Sequence, residues 1–333
     1  MQTKRWKIDS SQEINLSIIT EAINFLRQGE VVAFPTETVY GLGADAKTEE
    51  AVRKIFRAKG RPADNPLIAH VSTKKMLESL VLEKPSYVDD LIKTFSPGPL
   101  TYVLKSNGSC AKSVTAGLPT VAVRMPNHPI ALALIDHFNG PIAAPSANTS
   151  GRPSPVTAEH VYRDLAGKIP GIIDAGPTGV GVESTVIDCT GDIPIILRPG
   201  AITEEEIASV VGDVHPSPKE QTRSDKYKHY KPEIPLWLVG LSDKEIERLI
   251  KEQESKGNRI GLLGRDDFVR RFKGEDSFSL GEDLQEIAKN LYAGFRYFDK
   301  ETVDLVLCEA FPKEGLGKTI MNRIEQAASK TIE

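Results

Sequence analysis

Apolar residues at Ile14, Ile18, Ile19, Ala22, Ile23 and Leu26 fall on one stripe at helical spacing, which predicts a helix from about Glu13 to Arg27. Ser10 and Glu13 have the spacing of a capping box, and Gly29 ends the pattern. Glu30 to Phe34 is an apolar run of strand length, followed by a polar turn through Pro35, Thr36, Glu37 and Thr38. Thr48 opens a second helix, with Glu49 and Glu50 in its first turn and Ala51, Val52, Ile55 and Phe56 inward, and Gly60 and Pro62 stop it. Leu67 to Val71 reads as a strand, and Lys74–Leu82 as a helix. Further strands are predicted at Leu100–Leu104, Val121–Met125, Ile142–Ala144, Gly171–Asp174, Thr185–Asp188 and Ile195–Arg198. Helices are predicted at Ile130–Phe138, Ala158–Leu165 and Glu204–Val211, the last with Thr203 and Glu206 as a capping box. The irregular alternation implies a mixed, twisted sheet with helices, not a regular βαβ ladder.

From Gly212 to Pro235 the periodicity breaks, and Pro216, Pro218, Pro232 and Pro235 with interspersed charges describe a linker. Beyond it a second alternation starts. Leu236–Leu241, Ile260–Leu263 and Val303–Ala310 read as strands; Ser242 and Glu245 cap a helix that runs to about Lys256, and Leu284–Phe298 and Thr319–Ser329 read as helices. That order suggests a small parallel-sheet domain. The expected organisation is therefore a larger mixed-sheet domain at 1–212, a linker at 213–235 and a small α/β domain at 236–333.

Size and composition narrow the class. At 333 residues two domains are expected, and 40% hydrophobic with 26% charged residues is ordinary for a globular protein. A net charge of −4 supplies no global basic field, so any RNA contact would be local. Cys110, Cys189 and Cys308 are widely spaced with no C-x-x-C pairing, which argues against a zinc or disulfide framework. The basic start lacks an apolar run behind it, and no stretch reaches the roughly 18 apolar residues of a membrane span. The cytoplasm is the expected location, with no membrane partner.

The chemistry concentrates between Ala33 and Val71, where hydroxyls and a carboxylate at one strand end are followed by a crowd of cations. Arg53 and Lys54 read as a solvated helix face. Lys59 and Arg61 sit in a loop shaped by Gly60 and Pro62, where side chains can be aimed at phosphate. Arg124 ends an otherwise apolar strand and must find an anion, either a structural carboxylate or a substrate carboxylate. Arg198 repeats the arrangement, so the set describes a cavity for several negative charges. The hydroxyl-rich turns Pro145–Gly151 and Glu183–Thr185 accompany these cations, although each alone is ordinary turn chemistry. His70 on its apolar strand fits a core histidine and a site residue about equally. Gly315-Leu316-Gly317-Lys318-Thr319 looks like the end of a Walker loop, but Pro312 stands where the first glycine belongs, so it reads as a helix start. The histidines are scattered, and no metal site made of protein side chains is predicted.

Together these segments resemble the YrdC family, and within it the long two-domain L-threonylcarbamoyladenylate synthases. The resemblance rests on Pro35–Leu42, Lys59–Pro62, Asn65–Val71, Pro97–Thr101, Val123–Pro126, Pro145–Gly151, Glu183–Val186 and Leu197–Gly200, which keep the family's order. In the second domain it rests on Tyr227–Pro232, Glu314–Gly317 and Met321–Arg323. It implies a YrdC-like twisted mixed sheet with helices around a large cavity, plus a small C-terminal parallel-sheet, Rossmann-like α/β domain. The implied reaction is ATP-dependent: L-threonine, bicarbonate or CO2 and ATP give L-threonylcarbamoyl-AMP and pyrophosphate. Mg²⁺ would come with the ATP. A separate tRNA threonylcarbamoyl transfer complex would use the product on ANN-decoding tRNAs.

By position, the resemblance gives threonine binding to Thr36, His70, Arg124, Ala144 (through its backbone) and Ser184. It gives ATP binding to Lys59, Arg61, Thr120, Ser146, Asn148, Ser154, Arg198 and Tyr230, and catalysis to Lys59, Arg61 and Arg124. One departure is clear: Thr222-Arg223-Ser224-Asp225 replaces the Ser/Ala-Pro-Gly-Met run that long members carry before the linker's His-Tyr. The alternative reading is a double-stranded RNA or tRNA-binding module without catalysis. The acidic net charge and the lack of interleaved aromatics count against it, and a weak tRNA contact stays open.

Overall fold

Alternation of apolar residues at period 2 and period 3.6 builds two α/β units in this computed structural model, which describes residues 2–8, 14–216, 230–272, 274–298 and 300–332. The larger unit comprises Met1–Ser150, Ser154–Gly179 and Glu183–Lys226, and the smaller comprises Gly151–Pro153, Val180–Val182 and Tyr227–Glu333.

The larger unit opens with β1 (Lys4–Lys7), α1 (Leu16–Arg27), β2 (Val32–Phe34), β3 (Gly41–Asp45), α2 (Glu49–Lys59) and β4 (Ile68–His70). It continues with α3 (Lys74–Glu78), α4 (Tyr87–Phe95), β5 (Leu100–Lys105), α5 (Lys112–Thr115), β6 (Thr120–Arg124), α6 (Pro129–Phe138) and β7 (Ile142–Ala143). It closes with α7 (Ala158–Leu165), β8 (Gly171–Asp174), β9 (Thr185–Asp188), β10 (Ile195–Arg198), α8 (Glu204–Val211) and β11 (His215–Pro216). The strands form one mixed sheet in the order β1-β8-β2-β3-β7-β4-β6-β5-β9-β10-β11.

The strand pleat sends alternate residues to opposite faces, and the helices sort accordingly. Val32 and Phe34 pack with Ile19, Ile23 and Leu26 of α1 and with Ile130 and Leu134 of α6. Ala33, between them, packs with Val52 and Ile55 of α2 and Val161 of α7. A third cluster joins Ala69, Val121 and Val123 to Leu77 of α3, Leu91 of α4 and Ile207 of α8. Since Ala69 and Val123 face that cluster, His70 and Arg124, paired across the parallel β4–β6 ladder, share the opposite face.

Several elements differ from the sequence expectation. Helix α1 starts at Leu16, where Asn15 Oδ1 accepts the Ser17 N–H at 3.0 Å. The Ser10–Glu13 box lies outside the described residues. Helix α3 stops at Glu78 instead of Leu82. Strands β1, β3 and β11 and helices α4 and α5 were not expected. Strand β3 occupies a stretch to which the sequence assigned no element, because Gly41 and Gly43 hide its strand character. A Cβ at Gly43 would lie 2.7 Å from both Ile142 Cγ2 and Phe34 Cε1, so neighbouring side chains fill its space. At α8 the expected capping box is present: Thr203 Oγ1 accepts the Glu206 N–H at 3.2 Å, and Glu206 Oε2 accepts the Thr203 N–H at 2.7 Å.

The smaller unit runs β12 (Leu236–Val239), α9 (Asp243–Ser255), β13 (Ile260–Gly264), α10 (Asp266–Arg271), β14 (Asp276–Ser279), α11 (Leu284–Tyr297), β15 (Leu305–Glu309), α12 (Leu316–Ala327) and β16 (Lys330–Ile332). Its sheet has the order β14-β13-β15-β12-β16 and every ladder is parallel. Strands β14 and β16 and helix α10 add to the elements expected. The Walker-like segment is a helix start, as expected, although α12 begins at Leu316 and not Thr319. There a Cβ on Gly317 would lie 2.0 Å from the Pro312 carbonyl, so that glycine is needed for a close backbone approach. Of the stretch read as a linker, residues 217–229 lie outside the described residues, among them Thr222–Asp225 and the first part of Tyr227–Pro232.

Candidate functional site

The turn after β2 is built by its own hydroxyls. Thr36 Oγ1 donates to the Val39 carbonyl at 2.7 Å and accepts the Thr38 N–H at 3.2 Å and the Val39 N–H at 3.3 Å. Thr36 Oγ1 and Thr38 Oγ1 lie 2.8 Å apart. Since Arg124 Nη1 donates to Thr38 Oγ1 at 3.0 Å, one chain of hydrogen bonds runs from Arg124 through Thr38 and Thr36 into the backbone. Arg124 Nε donates to the Gly98 carbonyl at 3.2 Å, and Nη2 lies 2.7 Å from Glu37 Oε1. The sequence left open whether Arg124 meets a structural or a substrate carboxylate. In this structure its anion is Glu37, with the two side chains 4% and 12% exposed.

His70 lies beside Arg124 in the β4–β6 register and presents its ring edge-on to Phe34, with centroids 6.2 Å apart. Burial first, and the neighbouring Arg124 charge second, push its pKa down to about 3, so the imidazole is neutral near pH 7. Nδ1 lies 3.2 Å from the Ile68 carbonyl, which requires the proton on Nδ1 and leaves Nε2 an acceptor.

The loop before β5 joins this group to a second one. Gly98 accepts from Arg124, and Pro99 accepts the Thr185 N–H at 3.0 Å. Ser184 Oγ lies 2.8 Å from Thr101 Oγ1, and Arg198 Nη2 donates to the Ser184 carbonyl at 2.8 Å. Glu183, next in the chain, accepts from Ser154 Oγ at 2.6 Å, and both are buried. Thr36, His70, Arg124, Ser184, Arg198 and Ser154 are thereby linked through ladders, short loops and direct bonds.

A third group centres on Lys59, 2% exposed at the end of α2. Its ammonium donates to the carbonyls of Ser146 and Asn148, each at 2.5 Å, and Ser146 Oγ donates to Asn148 Oδ1. The Ser150 N–H returns to the Lys59 carbonyl at 2.8 Å, and Ser146 bridges to Gly41 at the head of β3. Arg61 donates to the Asn65 and Pro66 carbonyls at 3.3 and 3.0 Å, so its guanidinium is held against its own loop. Ala144 spends its N–H on the Ile68 carbonyl at 2.9 Å.

Thr120 stands apart. It begins β6 and Arg124 ends it, about 13 Å away along a strand. Tyr230 belongs to the smaller unit, where it has φ of 61°, stacks on Tyr292 at 5.2 Å and lies under the Arg323 guanidinium at 5.3 Å. Glu37 and Glu183 were missed as site residues by the sequence reading. Their only signal was a carboxylate beside hydroxyls in a turn. Among the described residues no group of three His, Cys, Asp or Glu could hold a metal ion, and no helix is long and apolar enough to cross a membrane.

Residues 24–200 match the Sua5/YciO/YrdC family model, described as "Telomere recombination". Residues 202–329 match the model for the C-terminal domain of threonylcarbamoyl-AMP synthase. The chain is 47% identical to a threonylcarbamoyl-AMP synthase of Bacillus subtilis, covering 100% of this chain and 99% of the relative. It is 46% identical to one of Pyrococcus abyssi over 93% of this chain and 94% of the relative. The crystal structure of P. abyssi Sua5 complexed with L-threonine superposes with a TM-score of 0.92 at 43% identity, covering 100% of both chains.

Proposed function

The chain belongs to the Sua5/YciO/YrdC family, and from that premise we propose that it is a threonylcarbamoyl-AMP synthase. It joins L-threonine, bicarbonate or CO2 and ATP into L-threonylcarbamoyl-AMP and releases pyrophosphate, a nucleotidyl transfer. A separate complex then passes the threonylcarbamoyl group to ANN-decoding tRNAs. The observation that carries this reading is the end-to-end likeness to a relative solved with L-threonine.

The geometry suits the chemistry. The carbamate of threonine is a dianion, and its oxygen attacks the α-phosphate of another anion. The protein's task is therefore charge screening and alignment, with no side-chain nucleophile needed. Arg124 takes the α-carboxylate, positioned by its bonds to Gly98 and Thr38. His70 Nε2 accepts from the threonine hydroxyl, and the neutral imidazole adds no charge there. Thr36, Ser184 and the Ala144 backbone complete the amino-acid side. Lys59, Arg61 and Arg198 face the triphosphate, with Ser146, Asn148 and Ser154 shaping its loops and Thr120 on the nucleotide. Residues of this cationic kind fit phosphate oxygens and not a bare cation, so Mg²⁺ would arrive on ATP, where it screens the phosphate charge.

The test is pyrophosphate release by the purified chain. Release should require ATP, bicarbonate and threonine together. Release without threonine overturns the reaction, and equal turnover with serine overturns the specificity.

A further inference from the structure

Arg124 and Glu37 touch without satisfying each other. Among the described residues, Arg124 Nη2 and both Glu37 oxygens have no hydrogen-bond partner, although Nη2 and Oε1 are 2.7 Å apart. The charges are in contact, but the N–H direction misses the lone pairs, unlike a bidentate fork. Buried polar groups left in that state are costly, more so when charged. The rest of Arg124 is already committed, with Nε on Gly98 and Nη1 on Thr38. The turn carrying Glu37 is held on both sides by the Thr36 and Thr38 bonds, so the backbone from which the carboxylate extends is fixed. His128, at the N-cap of α6, feels the Glu37 charge. Burial holds the His128 pKa down and Glu37 draws it up, so His128 supplies no fixed positive charge.

What remains is an unmet donor on a cation directly beside an unmet acceptor on an anion. An α-amino acid carries its carboxylate and ammonium on the same carbon atom. Building on the threonine reading above, we propose that Glu37 receives the substrate's α-ammonium, so that Arg124 and Glu37 together read the zwitterion. Glu37 then selects free amino acids over hydroxy acids that present the same carboxylate and hydroxyl. It is a specificity residue beyond those implied by the family resemblance.

The experiment measures binding without ATP, by calorimetry, of L-threonine and of 3-hydroxybutanoate, which lacks only the amino group. Wild type should prefer threonine at least 10-fold. Glu37→Gln should reduce that preference to about 3-fold or less while ATP binding persists, which shows that the variant is folded. Glu37→Asp should restore part of the preference. If Glu37→Gln changes both affinities by the same factor, in either direction, Glu37 is a structural partner or a competitor for Arg124, and the proposal falls. If wild type binds no threonine, the functional reading falls with it. A wild type that binds threonine and 3-hydroxybutanoate equally well overturns only the role of Glu37.

Discussion

His70 should make the larger unit acid-sensitive by a calculable amount. Its pKa of about 3 in the fold lies well below the ordinary value near 6.5, first because burial strips water from the charged form and then because Arg124 repels it. The neutral form is favoured by folding. The contribution is therefore complete above about pH 6.5 and is lost as pH falls from there toward 3, because only the unfolded chain binds the proton. At pH 5 the loss is RT ln(1 + 10^1.5), about 2 kcal/mol, and over the whole interval it is on the order of 5 kcal/mol. Trp6 is buried in the larger unit, and the other tryptophan, Trp237, is in the smaller one. In a Trp237→Phe background, tryptophan fluorescence therefore follows the larger unit. Urea unfolding of this background and of its His70→Gln derivative at pH 7.5 and 5.0 gives four stabilities. The stability advantage of histidine over glutamine should shrink by about 2 kcal/mol between the two pH values. A change below about 0.5 kcal/mol, or an imidazole found protonated at pH 7 by NMR, would refute the argument.

Three further outcomes follow from the geometry. Lys59→Met removes the ammonium that holds the Ser146 and Asn148 carbonyls, and should lower kcat/KM for ATP by roughly 100-fold while moving the threonine KM little; an ATP titration of pyrophosphate release checks it. Arg124→Ala strands Glu37 as a buried charge, and should cost about 3–5 kcal/mol in urea unfolding and abolish threonine-dependent release, with Arg124→Lys less destabilised. Gly43→Ala drives a methyl into Phe34 and Ile142 and should destabilise by about 1–3 kcal/mol, with turnover per folded molecule kept.

Much of this was legible along the chain. Helices with a clean apolar stripe, such as α2, α7 and α8, fall where periodicity and caps placed them, because the local pattern and the tertiary core agree. Strand β3 was not legible. Its glycines are permitted by Phe34 and Ile142, residues nine and 99 positions away from Gly43 in sequence, and a local pattern holds no record of them. The edge strands β1 and β16 are short and partly polar, so their pairing with β8 and β12 decides their conformation.

The candidate site divides in the same way. Residue chemistry alone required Arg124 to meet an anion, since a charge on an apolar strand cannot stay unpaired, and it marked Lys59 and Arg61 as cations in a shaped loop. It could not say that the anion would be Glu37 or that Lys59 would turn onto two carbonyls 87 and 89 residues away. Nor could it show that Gly98 and Pro99 would join Arg124 to Ser184. Sequence determined which groups carry charge and where the strongly periodic helices and apolar strands fall, because those depend on neighbours along the chain. Which charges face each other, and which hydrogen bonds are left unmade, depends on sheet order and register, and only the tertiary structure sets these.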